Sequence, residues 1–308
     1  MVVVATGGGE YRPEEHHYGK DPRVMTQLDM DERLLRGDLP KAGTAVFIQC
    51  VGSRNSKRGY CSRVCCSAAV KNALVLKKRD PATRVWVLYR DMRTYGFREE
   101  WFRKARELGV EFLRHDDDEL PVVERSGGEL TVAVREPVLG RKLTIHPDLL
   151  VLSAAMLPPG GSETLAKMLK VPLTRDGFFL EAHMKLRPVE FATSGVFLAG
   201  VCAGPKFMDE CISQSEAAAM KAVVAVQKGY IETEPCISEI REDKCSQCQN
   251  CLRVCPFSAI DVADGKVRVI PELCKGCGLC NAACPSGAIQ QRGFKDNQVL
   301  EMVRTCCG

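Results

Sequence analysis

The chain opens on a short apolar run, Met1-Val2-Val3-Val4-Ala5, which ends at Thr6-Gly7-Gly8-Gly9. A β-branched run closed by glycine predicts a buried parallel strand. A polar, charged segment follows to about Gly43, and two periods then alternate. Thr44–Cys50, Arg84–Tyr89 and Val110–Arg114 are short apolar runs that predict strands, while Ser62–Lys78 and Arg98–Leu108 carry apolar residues at helical spacing. Gly109 stands where the second helix needs its C-terminal cap. Leu120–Val138 predicts a hairpin about Gly127-Gly128, and Leu143–Ala154 supplies a further strand pair. The stretch from Pro158 to Pro188 has no clear period. Gly195–Gly200 predicts one more short strand, and Met208–Lys228 an alanine-rich helix. Strands alternating with helices predict an α/β fold built on a parallel sheet. The pattern divides the chain into 1–42, 43–157, 158–232, a cysteine-dense unit at 233–292 and a polar tail at 293–308.

Composition changes this picture in one respect. At 308 residues, 45% hydrophobic and 27% charged, the chain can bury an ordinary core. A net charge of +4 makes no case for nucleic acid or an acidic membrane surface as partner. No apolar run approaches the roughly 20 residues of a membrane span. No signal-peptide apolar region follows Met1 either, which predicts a cytoplasmic location. The seventeen cysteines stand out. In a reducing compartment clustered cysteines favour metal ligation over disulfides, and an odd number cannot all pair within one chain.

The densest cluster is doubled. Cys245-x2-Cys248-x2-Cys251-x3-Cys255-Pro256 is followed by Cys274-x2-Cys277-x2-Cys280-x3-Cys284-Pro285, the spacing of bacterial two-cluster ferredoxins. Two-residue gaps let three thiolates wrap one cubane, and the fourth cysteine of each run ligates the other cluster. Cys245, Cys248, Cys251 and Cys284 are therefore expected to hold one [4Fe–4S] cluster, and Cys274, Cys277, Cys280 and Cys255 the second. Pro256-Phe257-Ser258-Ala259-Ile260 also matches Pro285-Ser286-Gly287-Ala288-Ile289, so the unit is an internal duplication. Zinc sites use C-x2-C pairs too, but two quadruple runs each closed by Cys-Pro do not fit one.

A second constellation lies in the βαβ pattern. Cys50 ends a predicted strand, and Cys61, Cys65 and Cys66 open the next helix. Positions 61 and 65 are one turn apart, and a helix N-terminus favours anionic thiolates. In dinucleotide-binding folds this junction carries the G-x-G-x-x-G loop. Here that loop is absent and cysteines follow Val51-Gly52-Ser53. The residues alone leave two readings: a cluster in place of the nucleotide, or redox-active or simply buried thiols.

The stretch Phe47–Arg63 with Cys65-Cys66, the segment Leu88–Glu100, Gly195–Lys206 and the terminal ferredoxin unit together resemble the A subunit of heterodisulfide reductase. The resemblance implies a thioredoxin-reductase-like core that binds FAD, followed by an α+β ferredoxin domain. It implies that Cys50, Cys61, Cys65 and Cys66 hold a third [4Fe–4S] cluster. Segments 1–42 and 158–232 become two parts of the FAD-binding half. Thr6, Gly7, Gly8 and Gly200 would approach the flavin, with backbone N–H groups near Ser213-Gln214 at the following helix N-terminus. The family's glycine-rich FAD loop lies upstream of the segment matching Met1, and two explanations fit: a partner chain that bears the loop completes the FAD site, which an otherwise unpaired strand edge at Met1–Ala5 favours, or the chain is a fragment that binds flavin poorly. The implied activity is electron relay between flavin and partner subunits, with flavin-based bifurcation in view. The implied partners are other reductase subunits, a hydrogenase or formate dehydrogenase module, or a ferredoxin.

Cys202, Cys211, Cys236, Cys306 and Cys307 are left without a cluster, and His16-His17 lies in a polar segment. No nucleophile–base pair for hydrolysis and no phosphate loop is present. A redox-sensing or assembly module without turnover is the rival reading. A standalone nicotinamide–flavin disulfide reductase is disfavoured, because the dinucleotide loop and a C-x-x-C pair are both missing from the central segment.

Overall fold

The computed structural model describes residues 1–308 except Leu139, Thr233 and Gly308, with the backbone alone at Cys307. The chain forms two compact units, one comprising 8–158 with 205–207 and the other 1–7, 159–204 and 208–308.

The first unit is built on a five-stranded parallel sheet in the order Val24–Thr26, Leu149–Ala154, Thr44–Val51, Arg84–Tyr89, Val110–Arg114. The central strand is buried along nearly its whole length, so its apolar run is continuous rather than alternating. Ala45 and Phe47 point to one face, where they pack with Ala69, Val70 and Ala73 of the Cys65–Arg79 helix. Val46 and Ile48 point to the other, against Leu130, Val132 and Val134. Those three belong to an antiparallel sheet of Val122–Ser126, Glu129–Glu136 and Arg141–Ile145. The unit is thus three layers: helices, parallel sheet, antiparallel sheet. The α/β expectation holds, and the expected strand pair at 143–154 divides between the two sheets.

The polar segment before residue 43 is not featureless. Val24–Thr26 is an edge strand, and Gln27–Arg36 is a helix that starts with a reciprocal capping box between Thr26 and Asp29. Such a cap contributes about 1 kcal/mol. Gly37 closes the helix at φ 77°. Residues 8–42 therefore pack with the parallel sheet, which corrects the expected boundary at 42: only 1–7 joins 159–204.

In the second unit, Val2–Val4 pairs in parallel with Val196–Leu198. Val4, Phe179, Phe191, Val196, Leu198 and Cys202 share a core with Ala166 of the Ser162–Leu169 helix. Met208–Lys228 is a long helix, as its composition predicts. In the C-terminal region Ser238–Ile240 pairs antiparallel with Ile289–Gln291, and Ile260–Ala263 with Lys266–Val269. The expected polar tail is instead a helix, Asp296–Cys307. Among the described residues, no helix is long and apolar enough to cross a membrane.

Candidate metal centres

The ferredoxin unit is closed by its first and last strands, which pair and draw the two cysteine runs together. The duplication seen in the sequence recurs in the backbone. Gln247, Gln249 and Ser258 adopt left-handed φ of 60°, 60° and 48°, and their counterparts Gly276, Gly278 and Gly287 adopt 61°, 76° and 62°. A left-handed residue costs a non-glycine on the order of 1 kcal/mol, so its recurrence marks a turn that both loops need. Each loop then enters a short helix, Asn250–Val254 or Leu279–Ala282, carrying the third cysteine.

Cys255, Cys274, Cys277 and Cys280 line one small pocket with Phe257, Ile260 and Val269. This is the quartet expected to hold the second cluster, including the cysteine borrowed from the first run. Ser238 N–H donates to Cys274 Sγ at 3.5 Å, and Ser238 Oγ lies 3.1 Å from Cys280 Sγ. Ala259 N–H donates to Cys255 Sγ at 3.3 Å. Of the other quartet, Cys251 and Cys284 share an apolar core with Ile260, Val267 and Ile289. Cys248 lies within electrostatic reach of Cys251, whose thiol burial pushes up. No described interaction ties Cys245 to the other three. Burial also acts to raise Cys284, but the Ser286 hydroxyl and the N–H groups of Ala288, Ile289 and Ser286 outweigh it and lower its pKa. Donors aimed at sulfur are what an anionic thiolate ligand requires.

At the strand–helix junction of the first unit, the Thr44–Val51 strand carries one residue more than its neighbour. Ile48 pairs with Leu152 and Val51 with Ala154. The bulge coincides with φ 63° at Cys50, so the strand's alternation breaks there and re-aims that side chain. Arg54 and Arg63, on the loop that follows, also stand at φ 55° and 59°. Cys50, Cys65 and Cys66 are buried and Cys61 is half-buried. Cys50, Cys61 and Cys66 each lie within electrostatic reach of Cys65, and Cys61 and Cys66 also of Cys50. Burial pushes Cys50 up to about 11, with the neighbouring Cys66 adding to it. Cys66 is held down to about 7, first by a hydrogen bond with Cys65 and then by Arg93 and Arg54. Cys65 is pushed up as the partner that keeps its proton. Arg54, Arg90 and Arg93 thus surround the thiols with positive charge. Four converging thiols in a buried, cation-lined niche suit an anionic cluster.

Among the described residues, no three His, Cys, Asp or Glu side chains converge closely enough for a single metal ion. A cubane sets a wider cage, because each thiolate binds a different corner iron. Both quartets and the third constellation fit such a group in donor type and number.

The residues expected at a flavin fall differently. Val4 pairs with Leu198, so Thr6-Gly7 and Gly200 lie beyond the carboxyl ends of two adjacent parallel strands. Thr6 and Gly8 are exposed. Gly200, at φ 78°, gives its N–H to Gln214 Oε1 at 2.8 Å, so that donor is already engaged. Ser213 and Gln214 do not stand at the helix N-terminus. The helix starts at Met208, and amides beyond its first turn are bonded within it. Gln214 acts instead through its side chain, which bridges Gly200 N–H and the Pro188 carbonyl. The Cys202 thiol is buried and donates to the Val4 and Ala199 carbonyls, a packing role. Cys211 and Cys236 are half-buried and Cys306 is exposed, while the Cys307 side chain lies outside the described residues. Sequence reasoning passed over Ser238 and the three arginines, although Arg54, Arg90 and Arg93 flank the cysteine motif in segments it singled out.

Fold and cysteine pattern define an iron–sulfur protein with a two-cluster ferredoxin region joined to an α/β core. Residues 238–291 match the family model described as a 4Fe-4S dicluster domain. The A subunit of the H(2):CoB-CoM heterodisulfide,ferredoxin reductase from Methanothermobacter marburgensis is 39% identical over 98% of this chain and 48% of its own length. The H(2)/formate-named counterpart from Methanococcus maripaludis is 37% identical over 98% of this chain and 49% of its own. Thioredoxin reductase from Lactococcus lactis aligns over 74% of this chain and 66% of its own, at 16% identity and a TM-score of 0.49. The chain belongs, over nearly its whole length, to the family of heterodisulfide reductase A subunits. It spans about half the length of the curated relatives it matches.

Proposed function

We propose that the chain is an electron-transfer part of a heterodisulfide-reductase-like complex, with two [4Fe–4S] clusters in its ferredoxin region and a third at Cys50, Cys61, Cys65 and Cys66. When bound, such clusters accept and release single electrons at potentials set by ligand charge, hydrogen bonds and burial. The observation that carries the reading is the single cavity lined by Cys255, Cys274, Cys277 and Cys280, a set drawn from both runs. The chain's own residues bury Cys274 and Cys280 and aim N–H and hydroxyl donors at the sulfurs of Cys255, Cys274 and Cys280. At the third site, they supply three guanidinium groups against the added negative charge.

The relatives' names describe reductases of a heterodisulfide that also act with ferredoxin, hydrogen or formate. By that likeness the proposed partners are further reductase subunits, a hydrogenase or formate dehydrogenase module, or a ferredoxin. FAD is proposed to meet the Thr6-Gly7 and Gly200 strand ends, and bifurcation would take place at that flavin. The test is rapid mixing of the anaerobically reconstituted chain with reduced viologen, then with oxidised ferredoxin. The iron–sulfur absorbance is expected to bleach and recover as electrons pass through. A fully loaded chain that exchanges electrons with neither reagent would refute the relay.

A further inference from the structure

Beside the third cysteine site stands a side chain with no described partner. Gln49 is 3% exposed, yet neither its Nε2 nor its Oε1 has a hydrogen-bond partner. It precedes Cys50, at the bulge. Phe47 belongs to the core on the helix-facing side, and the period of two carries Gln49 to that same side, toward the helix that starts with Cys65-Cys66. Of the neighbouring amides, Gln27 is fully engaged, while Asn72 keeps its Oδ1, an acceptor, without a partner. Gln27 Nε2 donates to the Cys65 carbonyl at 3.0 Å and to Ser153 Oγ at 2.6 Å, and Asn72 Nδ2 donates to Gln27 Oε1 at 3.1 Å. Ser67, one residue past Cys66, is buried at 4% exposure and its hydroxyl is also without a partner. A helical serine ordinarily bonds back to the carbonyl four residues earlier, and this one does not.

Buried donors are almost always satisfied, and an unmet N–H is rarer than an unmet carbonyl oxygen. Two orphans flanking four thiols point to an acceptor that belongs between them. We propose that the Gln49 amide donates its N–H to a sulfur of the cluster held by Cys50, Cys61, Cys65 and Cys66, and so sets that cluster's potential. The inference rests on the cluster assignment proposed above. A donor stabilises the more negative, reduced state in preference to the oxidised one. Gln49 is then a positioning and tuning residue rather than a ligand. A ligand would be needed to load iron, whereas this amide is needed only to fix the potential.

The experiment is EPR-monitored redox titration of the full chain, with iron counted on the same samples. The variants are Gln49→Met, which keeps volume and removes the donor, and Gln49→Glu, which replaces the donor with a charge. The third cluster's signal is the part absent from Cys65→Ser/Cys66→Ser. Both Gln49 variants are expected to keep their iron. In Gln49→Met the reduced-to-oxidised ratio of that cluster at fixed potential falls about tenfold, a shift of about 59 mV to more negative potential. In Gln49→Glu it falls further, and the ferredoxin clusters stay where they were. An unmoved midpoint in either loaded variant overturns the inference and leaves the cluster assignment standing. Equal iron in wild type and Cys65→Ser/Cys66→Ser overturns the assignment itself, and the inference with it.

Discussion

Gly276 offers the sharpest test of how the second ferredoxin loop is built. Its φ is 61°, and a Cβ placed there would lie 2.6 Å from the Cys236 carbonyl oxygen. That oxygen is backbone and already accepts from Gln291 Nε2, so it cannot swing away. Replacing Gly276 with Ala adds left-handed strain of about 1–2 kcal/mol. Relieving the contact costs about 1–3 kcal/mol more, as overpacking does elsewhere. The sum, about 2–5 kcal/mol, is a large share of what a small domain has to spare. For a domain of this size it lowers Tm by roughly 10 °C or more. The duplication supplies the control. Gln247 occupies the equivalent place at φ 60° with a side chain already present, so Gln247→Ala is expected to be nearly neutral. Reconstituted chains are compared by thermal melting and by iron content. Gly276→Ala should melt early and lose about four irons, those of the Cys255, Cys274, Cys277 and Cys280 quartet. Wild-type melting and iron in Gly276→Ala would refute the steric argument and the loop geometry behind it.

Gly52→Ala should destabilise the first unit by about 2–4 kcal/mol, because its Cβ would fall 2.1 Å from the Tyr11 ring while φ is 76°. The Arg58 guanidinium lies over that ring at 4.4 Å, and adding Tyr11→Ala should recover part of the loss in a double-mutant melt. Asp21 accepts from the Arg23 backbone and guanidinium and is held down to about 2. Because the folded pKa is depressed, this stabilisation is complete above pH ~4 and disappears as pH falls toward 2. Asp21→Asn should remove on the order of 2 kcal/mol at neutral pH and flatten the acid limb of the stability profile. Ser238→Ala removes the hydroxyl 3.1 Å from Cys280 Sγ and should shift one ferredoxin cluster by up to about 60 mV to more negative potential, with iron unchanged.

The strand Thr44–Val51 was legible because it is buried on both faces, which leaves an unbroken apolar run; Arg84–Tyr89 shows one after its exposed arginine, and the edge strand Val110–Arg114 sets exposed Glu111 and Arg114 among buried Val110 and Leu113. The helix Gln27–Arg36 was not legible, since only Gln27 and Met30 are buried and its leucines Leu28 and Leu35 face outward, which blurs the apolar stripe. Its capping box, Thr26 with Asp29, was the signal available. Ser162–Leu169 and Asp296–Cys307 are short or exposed helices held by little apolar burial, so period alone gave no warning. The ferredoxin cysteines were readable from spacing, because ligand order along the chain is itself the geometry of the site. The third constellation was only half readable. Its ligand-bearing strand depends on a bulge and a left-handed Cys50, and neither has a local sequence signature in a non-glycine residue. Ser213 and Gln214 lie beyond the first turn of a helix that sequence and structure both start at Met208, so their amides are bonded within it. Gln214 lies six positions past Met208, and its side chain reaches back to Gly200.

The central claim is three clusters on one chain, and iron with acid-labile sulfide on anaerobically prepared protein tests it most directly. The account predicts about 12 irons per chain, falling to about 8 when Cys65 and Cys66 become serine. About 8 in both proteins would contradict it, leaving a two-cluster ferredoxin region on a scaffold whose buried thiols bind no cluster.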